Sequence, residues 1–319
     1  MFLNEKVFLS ILKKSSFFEN RPHIAVGVSG GPDSMALTYL LSKWTKLNKG
    51  KLSALVFDHS IRSNSKQESF LVKSMLSDLN IEAFIIKPKK NILIKKNMAN
   101  ARTNRFQGLI NFCKKNNILH LFLGHHFDDN LETYLIRKIN GSNLEGLSCM
   151  NKINYINNIQ ILRPLINTSK SSIITFNKKN KIKYIDDPSN KDINYTRVKV
   201  RIFLQNKNHQ KVVKSDFLKL KKQIPYYKNM IWELLIYSID HIQQDKIKIS
   251  FNKLIRFDNS IIEKHVLLIL KFLTKQNKQT KSSKINLFIN LIRKPSFKNF
   301  NLSGVIIKKK SDFLLFSQK

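Results

Sequence analysis

Apolar residues follow two alternating rhythms over the first 125 positions. HIAVGVSGG, residues 23–31, is a nearly unbroken apolar run ending in a glycine pair, and it predicts a buried strand closed by a turn. Residues 33–47 then place Met35, Leu37, Leu40, Leu41 and Trp44 at helical spacing. The alternation continues, with strands predicted at 52–60, 82–88 and 119–126 and helices at 66–79 and 99–116. Strands with so little polar interruption, separated by helices, belong in a parallel sheet covered on both faces, so the predicted class is α/β. Ligands on such sheets sit at the carboxyl ends of the strands. Three of the four predicted strands end in polar groups: Ser29 to Ser34, Asp58 with His59, and His125 with His126.

From about residue 205 the rhythm changes to basic amphipathic helices, for example 215–223 and 261–273, and a hairpin is predicted over 303–317. The polar stretch QNKNHQK marks a boundary, so a first domain over 1–208 is followed by a smaller, mainly helical domain over 209–319. Charge sharpens this division. Lys and Arg number 57 against 21 Asp and Glu, a net of +36. That excess points to a polyanion, even after part of it is set aside as a bias toward Lys, Asn and Ile. Residues 1–150 hold 22 basic and 11 acidic side chains, and residues 151–319 hold 35 and 10, so the second half is the expected nucleic-acid surface, with 209–319 as the expected tRNA-binding domain. Two cysteines, Cys113 and Cys149, exclude a disulfide framework and a multi-cysteine metal centre. Glu5 and Lys6 interrupt the apolar start and no run reaches 18 apolar residues, so no membrane span and a cytoplasmic location are expected.

The string Ser29-Gly30-Gly31-Pro32-Asp33-Ser34 follows a predicted strand and opens a predicted helix. Glycines let backbone N–H groups approach phosphate, and a helix N-terminus attracts anions. Ser29 and Ser34 add hydroxyls, and Asp33 can hold Mg²⁺ against phosphates. The lysine of the common NTPase loop is missing. The plainer reading makes Asp33 or Ser34 a helix cap. His125, Asp129 and Glu132 stand at i, i+4 and i+7 and share one face if a helix runs through them. From the residues alone, a metal site, a cap and a substrate site all stay open there. Arg102 and Arg105 face nucleotide or RNA phosphates, or are ordinary surface basicity.

The Ser29–Ser34 string resembles the PP-loop of the N-type ATP pyrophosphatases, and further blocks resemble one branch, the tRNA(Ile)-lysidine synthases. These are Asp58-His59-Ser60-Ile61-Arg62 with Ser65 and Glu68, and Ala101-Arg102 with Arg105-Phe106. The most specific block runs from Gly124-His125-His126-Phe127-Asp128-Asp129 through Glu132-Thr133 to Arg137, Gly146-Leu147 and Met150. Arg163-Pro164-Leu165 with Lys170, Asp187-Pro188-Ser189-Asn190, and Tyr195-Thr196-Arg197-Val198 with Arg201 complete it, so the likeness spans roughly 23–201. The chain departs at Asn130, where Gln is usual, at Asn140 before Gly141, where Arg is usual, and at Val198, where Asn is usual.

The resemblance implies a Rossmann-like PP-loop ATPase domain and a carbon–nitrogen ligase. ATP and Mg²⁺ would adenylate the C2 oxygen of the wobble cytidine in the CAU anticodon of tRNA(Ile). The ε-amine of L-lysine would then displace AMP. It implies catalytic roles for Asp33, His126, Asp129 and Glu132, with Asp33 on the metal. Ser29, Gly30, Gly31, Pro32, Asp33, Ser34 and Arg102 would bind ATP. Asp58, His59, Arg62, Arg105, His125, Asp128, Arg197 and Arg201 would contact lysine or tRNA. Which group is the general base stays open, as does whether the chain works alone or as a homodimer. Unpaired cysteines count against a sulfur-transferring relative; Cys113 is expected in the core.

Overall fold

The computed structural model describes residues 2–58, 65–87, 98–186, 192–274 and 280–318. The chain divides into two units, Met1–Leu220 and Lys221–Lys319.

The first unit is built on a six-stranded sheet ordered β3-β2-β1-β4-β6-β5, with β1 at His23–Val28, β2 at Lys51–Phe57, β3 at Ala83–Ile86, β4 at His120–Leu123, β5 at Ile153–Ile156 and β6 at Ile159–Leu162. Neighbouring strands are parallel except the β5–β6 hairpin at the edge. Strand side chains alternate between two cores. Ile24, Val26, Val28, Ala54, Val56 and Phe122 face one, which helices α1 (Glu5–Lys13), α2 (Pro32–Leu47), α3 (Ser65–Ser77) and α7 (Lys170–Lys179) complete with Phe8, Leu12, Leu37, Leu41, Val72, Ile173 and Phe176. Ala25, Leu55, Leu121, Leu123 and Ile161 face the other, covered by Leu109, Ile110 and Cys113 of α4 (Met98–Lys115). Both faces are dry, which is why the strands read as continuous apolar runs. Burial lifts the Cys113 thiol to about 12, so it is packing material as expected.

Strand order reverses beside β1. The chain passes from β1 to β2 and β3 on one side, then returns to lay β4 on the other. The carboxyl ends of β1 and β4 therefore border the crevice where ligands of such sheets bind. Helix α5 (Phe127–Ile139) leaves β4 there, and α6 (Leu144–Leu147) follows it. Leu131 and Tyr134 of α5 share a small core with Val200 and Leu204, at and just past the end of α8 (Thr196–Phe203), and with Val213 and Phe217 of α9 (Lys207–Ser238). The Tyr134 hydroxyl donates to Asp216, 2.8 Å away, which also takes Lys138.

The second unit has a five-stranded antiparallel sheet ordered β7-β8-β11-β10-β9: β7 is Ile239–Ile242, β8 Lys246–Ser250, β9 Asn299–Leu302, β10 Val305–Lys310 and β11 Phe313–Gln318. Ile247, Ile249, Val305, Ile307, Leu314 and Phe316 pack on Ile262, Val266 and Ile269 of α11 (Asn259–Thr274) and on Phe288 and Ile289 of α12 (Ser282–Ile292), while α10 (Phe251–Leu254) supplies Leu254. The helices follow their sequence rhythm. The expected 303–317 hairpin is β10 and β11, now the middle of a larger sheet whose other strands are too short to stand out. Among the described residues no helix is long and apolar enough to cross a membrane.

Candidate active site

The loop after β1 makes a left-handed turn at Gly30, with φ +82°. A side chain there would be strained, and its Cβ would fall 2.5 Å from Val72 Cγ2, so only glycine fits. The Gly30 carbonyl accepts from Ile185 N at 2.9 Å. Ser34, at the start of α2, ties the turn shut: its hydroxyl donates to Gly31 O at 3.0 Å and accepts from Ser29 N at 3.2 Å. The Ser29 and Ser34 hydroxyls also lie 3.2 Å apart. Pro32 occupies the first turn of α2, where its missing N–H costs nothing. From the other side Gly124 presses on the same turn; a Cβ there would lie 3.1 Å from Asp33 C and Ser34 N. The loop is thus a closed turn at a helix N-terminus, the kind of place that suits an anion.

Beside it begins α5, and its acidic start is built on His126. The His126 Nδ1 accepts from Asp129 N at 3.4 Å while Asp129 Oδ2 accepts from His126 N at 3.0 Å, a reciprocal cap. The ring also stands 3.6 Å from Asp128 Oδ2, 3.5 Å from Asp129 Oδ2 and 3.7 Å from Asp33 Oδ1. Burial would push the His126 pKa down; the Asp128, Asp129 and Asp33 carboxylates outweigh it, and the pKa is raised above its ordinary 6.5. Burial would likewise raise both aspartates, but His126 and the Lys170 backbone N–H hold Asp128 below the usual carboxylate range, and His126 with the Arg197 guanidinium does the same for Asp129. Because the helix starts only at Phe127, His125 lies outside the expected shared face of 125, 129 and 132. Its Nδ1 instead accepts from Nε of the buried Arg163 at 3.3 Å, and Arg163 also donates to Asn151 O at 3.1 Å.

Glu132 is 3% exposed, and both its oxygens are taken. Arg197 Nε donates at 2.7 Å and Arg201 Nε at 2.8 Å, and Arg197 also reaches Asp129 Oδ1 at 3.2 Å. The Glu132 hydrogen bond raises the Arg201 pKa further, so this is a fixed ion-pair network. Val198 is buried on the same helix, which suits valine where the resemblance leads one to expect Asn. Asn130 bridges the backbone of Met150, accepting from its N at 3.0 Å and donating to its O at 3.2 Å.

Asp33 points between His126 and Lys170. Its Oδ2 accepts from Lys170 Nζ at 2.6 Å, and its buried Oδ1 has no hydrogen-bond donor among the described residues. A carboxylate oxygen left without a donor suits a hard cation. Among the described residues no cluster of three or more His, Cys, Asp or Glu side chains forms a metal cage. Asp58 is buried just past β2, and Arg105 lies half-buried on α4. Arg102 is on α4 with its side chain outside the described set; His59, Arg62 and Asp187–Asn190 lie outside the described residues. Nothing local in the sequence singles out Lys170, Arg163 or Asn130, since their partners are 137, 38 and 20 residues away.

Residues 4–208 match the PP-loop domain family. The tRNA(Ile)-lysidine synthase of Wolbachia pipientis wMel is 32% identical over 321 residues, covering 98% of this chain and 73% of that protein. That of Orientia tsutsugamushi (strain Boryong) is 38% identical over 59% of this chain and 43% of its own length. That of Rickettsia bellii (strain OSU 85-389) is 31% identical over 92% of this chain and 68% of its own. Among solved structures, the U34-tRNA thiolase NcsA of Methanococcus maripaludis aligns with TM-score 0.57 at 19% identity over 68% of this chain and 79% of its own, a likeness of fold. With a glycine turn opening a helix after β1, a capped acidic helix after β4 and relatives of this identity and coverage, the chain belongs to the tRNA(Ile)-lysidine synthase family of PP-loop proteins.

Proposed function

We propose that the crevice at the ends of β1 and β4 joins the ε-amine of L-lysine to C2 of the wobble cytidine in the CAU anticodon of tRNA(Ile), consuming ATP and releasing AMP and pyrophosphate. The observation that carries this reading is the cradle of Ser29 to Ser34 set against the acidic start of α5, 3.7 Å apart at Asp33 and His126. The C2 oxygen of cytosine is a poor leaving group; adenylation turns it into one that departs as AMP. The loop's amides and hydroxyls hold the phosphates of ATP before the α-phosphorus is attacked. Asp33 Oδ1 fits Mg²⁺, which when bound supplies counter-charge to the triphosphate.

Asp129 and Asp128 stay ionised and partly exposed, so they suit the incoming lysine ammonium. His126 stands against both and takes the amine's proton; a pKa raised toward the working pH makes it a better base. Glu132 serves differently: by holding Arg197 and Arg201 it fixes two guanidinium groups beside Asp129. Asp58, Arg105 and His125 are assigned to lysine or tRNA contacts. Residues 1–208 form the catalytic domain, and the basic remainder supplies tRNA affinity in the cytoplasm, where ATP and tRNA meet.

ATP–pyrophosphate exchange tests the reading. Exchange should require tRNA(Ile), and Asp33→Ala should abolish it in a folded chain. Exchange with lysine alone and no tRNA would instead mark a ligase of small molecules.

A further inference from the structure

A cytidine that reacts at C2 has to leave the stack of its loop, and the bases beside it then lose a neighbour. Proteins receive unpaired bases on aromatic rings set among basic side chains. Helix α8 carries this combination on the face that the catalytic crevice does not use. Arg197 and Arg201 point to Glu132, and Val200 and Leu204 enter the small core with Leu131. Lys199, Ile202 and Phe203, at i, i+3 and i+4, share the outward face and are exposed, as is Tyr195 just before the helix.

Single exposed apolar residues are ordinary, but a fixed pair of exposed rings is not. Phe203 is 45% exposed, and its ring stacks on that of the exposed His209, with centroids 4.2 Å apart and planes 12° from parallel. His209 Nδ1 also donates to Phe203 O at 3.4 Å. Asn206 fixes the start of α9, its side-chain oxygen accepting from Asn208 N at 2.9 Å and His209 N at 3.3 Å. The pair is thus preorganised by contacts of its own, so a base laid on it costs little further ordering. Charge agrees with that occupant. Residues 193–215 hold six Lys and Arg and no Asp or Glu, and Lys199, Lys207 and Lys211 are exposed. A nucleotide uses both features, its base on the ring and its phosphate on the ammonium groups.

We propose that the stacked Phe203–His209 pair is a platform for an unpaired base of the anticodon loop, one other than the reacting cytidine, with Lys199, Lys207 and Lys211 set against the loop's phosphates. The inference rests on the tRNA reading above and deepens it. Every base has a face to stack, so the platform positions the loop and does not read its sequence. No bond is made or broken there, and ATP does not touch it.

The test uses the full chain with Phe203→Leu, which keeps an apolar body in place, His209→Ala, at an exposed position, and Lys211→Gln. Binding of tRNA(Ile) is read by filter titration at several salt concentrations. Loss of one base–ring stack predicts about 5- to 100-fold weaker binding for each aromatic variant. The salt slope of Phe203→Leu should match wild type, because a stack releases no counterion, whereas Lys211→Gln should lower the slope by about 0.7–0.9. Affinity for the uncleavable α,β-methylene analogue of ATP should stay at the wild-type value in all three. Position is read with 2-aminopurine placed at each unpaired loop position in turn: the wild-type chain should quench one position near the cytidine, and His209→Ala should not. Unchanged tRNA affinity in both aromatic variants, a loss shared equally by the ATP analogue, or quenching that survives both substitutions overturns the assignment. A change in self-association on sedimentation, with tRNA binding intact, would overturn it in favour of a contact between copies of the chain. A wild-type chain that binds no tRNA defeats the parent reading as well, whereas normal wild-type binding with equally tight variants defeats this inference alone.

Discussion

Replacing Glu132 by Gln tests whether that carboxylate faces its own arginines or the substrate. Removing one partner of a fully buried ion pair costs about 3–5 kcal/mol, because the charge left behind is stranded. Here Arg197 and Arg201 keep 37% and 40% of their side-chain exposure, so each can rehydrate. Glutamine also retains one acceptor oxygen. The expected loss falls to about 2 kcal/mol, from two weakened charge-assisted bonds. For a folding unit of this size that is a drop in melting temperature of about 4–8 °C. Calorimetry on the full chain reads it directly. Adding Arg201→Gln to Glu132→Gln should cost less than the two single losses together, since the network is broken once. Turnover should fall with stability, as Arg197 loses an anchor beside Asp129. The reasoning is refuted if Glu132→Gln melts as wild type does while only the apparent lysine constant rises; Glu132 would then meet lysine itself.

Three further outcomes follow from the site. Gly30→Ala should abolish triphosphate binding, because φ +82° and a Cβ 2.5 Å from Val72 Cγ2 force the loop open; an alanine variant with normal affinity in a nucleotide titration would contradict the cradle. The His126 pKa is raised in the folded chain, so its contribution to stability is fully present below the ordinary 6.5 and is lost as pH rises through the folded value. The stability gap between wild type and His126→Gln should therefore shrink from pH 6 to about pH 9 in denaturant titrations, and a gap that widens would show the sign to be wrong. Residues 1–220, which hold both cores of the first sheet, should bind ATP alone but bind tRNA weakly, with a shallower salt dependence than the full chain. Equal salt slopes for the full and shortened chains, each losing about 0.7–0.9 per phosphate contact, would mean the basic second half does not touch RNA.

The parts of this molecule legible in its sequence are those set by local rules. Ile24 to Val28 and Leu121 to Leu123 announce buried parallel strands because both faces of the sheet are dry. The Gly30-Gly31 pair announces a turn, and the structure shows why glycine stands there: at φ +82° no other residue fits Gly30. What escaped is tertiary. The β5–β6 hairpin is two four-residue strands, too short to show a period. The spacing of His125, Asp129 and Glu132 suggested one face, yet the reciprocal cap at His126 starts the helix after His125 and turns it toward Arg163. That Glu132 belongs to Arg197 and Arg201, and Asp33 to Lys170, depends on which helices the small core of Leu131, Val200 and Phe217 and the α2–α7 packing bring together. No pattern of spacing encodes such partners.

The most direct measurement of the central claim is mass spectrometry of nucleosides from tRNA(Ile) bearing the CAU anticodon, after incubation with the purified chain, ATP and L-lysine. The account predicts a wobble cytidine carrying one lysine, with one AMP and one pyrophosphate formed per modified nucleoside, none of the three when ATP or tRNA is withheld, and no modified nucleoside when lysine is withheld. Unmodified cytidine alongside bound ATP and tRNA, or ADP as the nucleotide product, would contradict it.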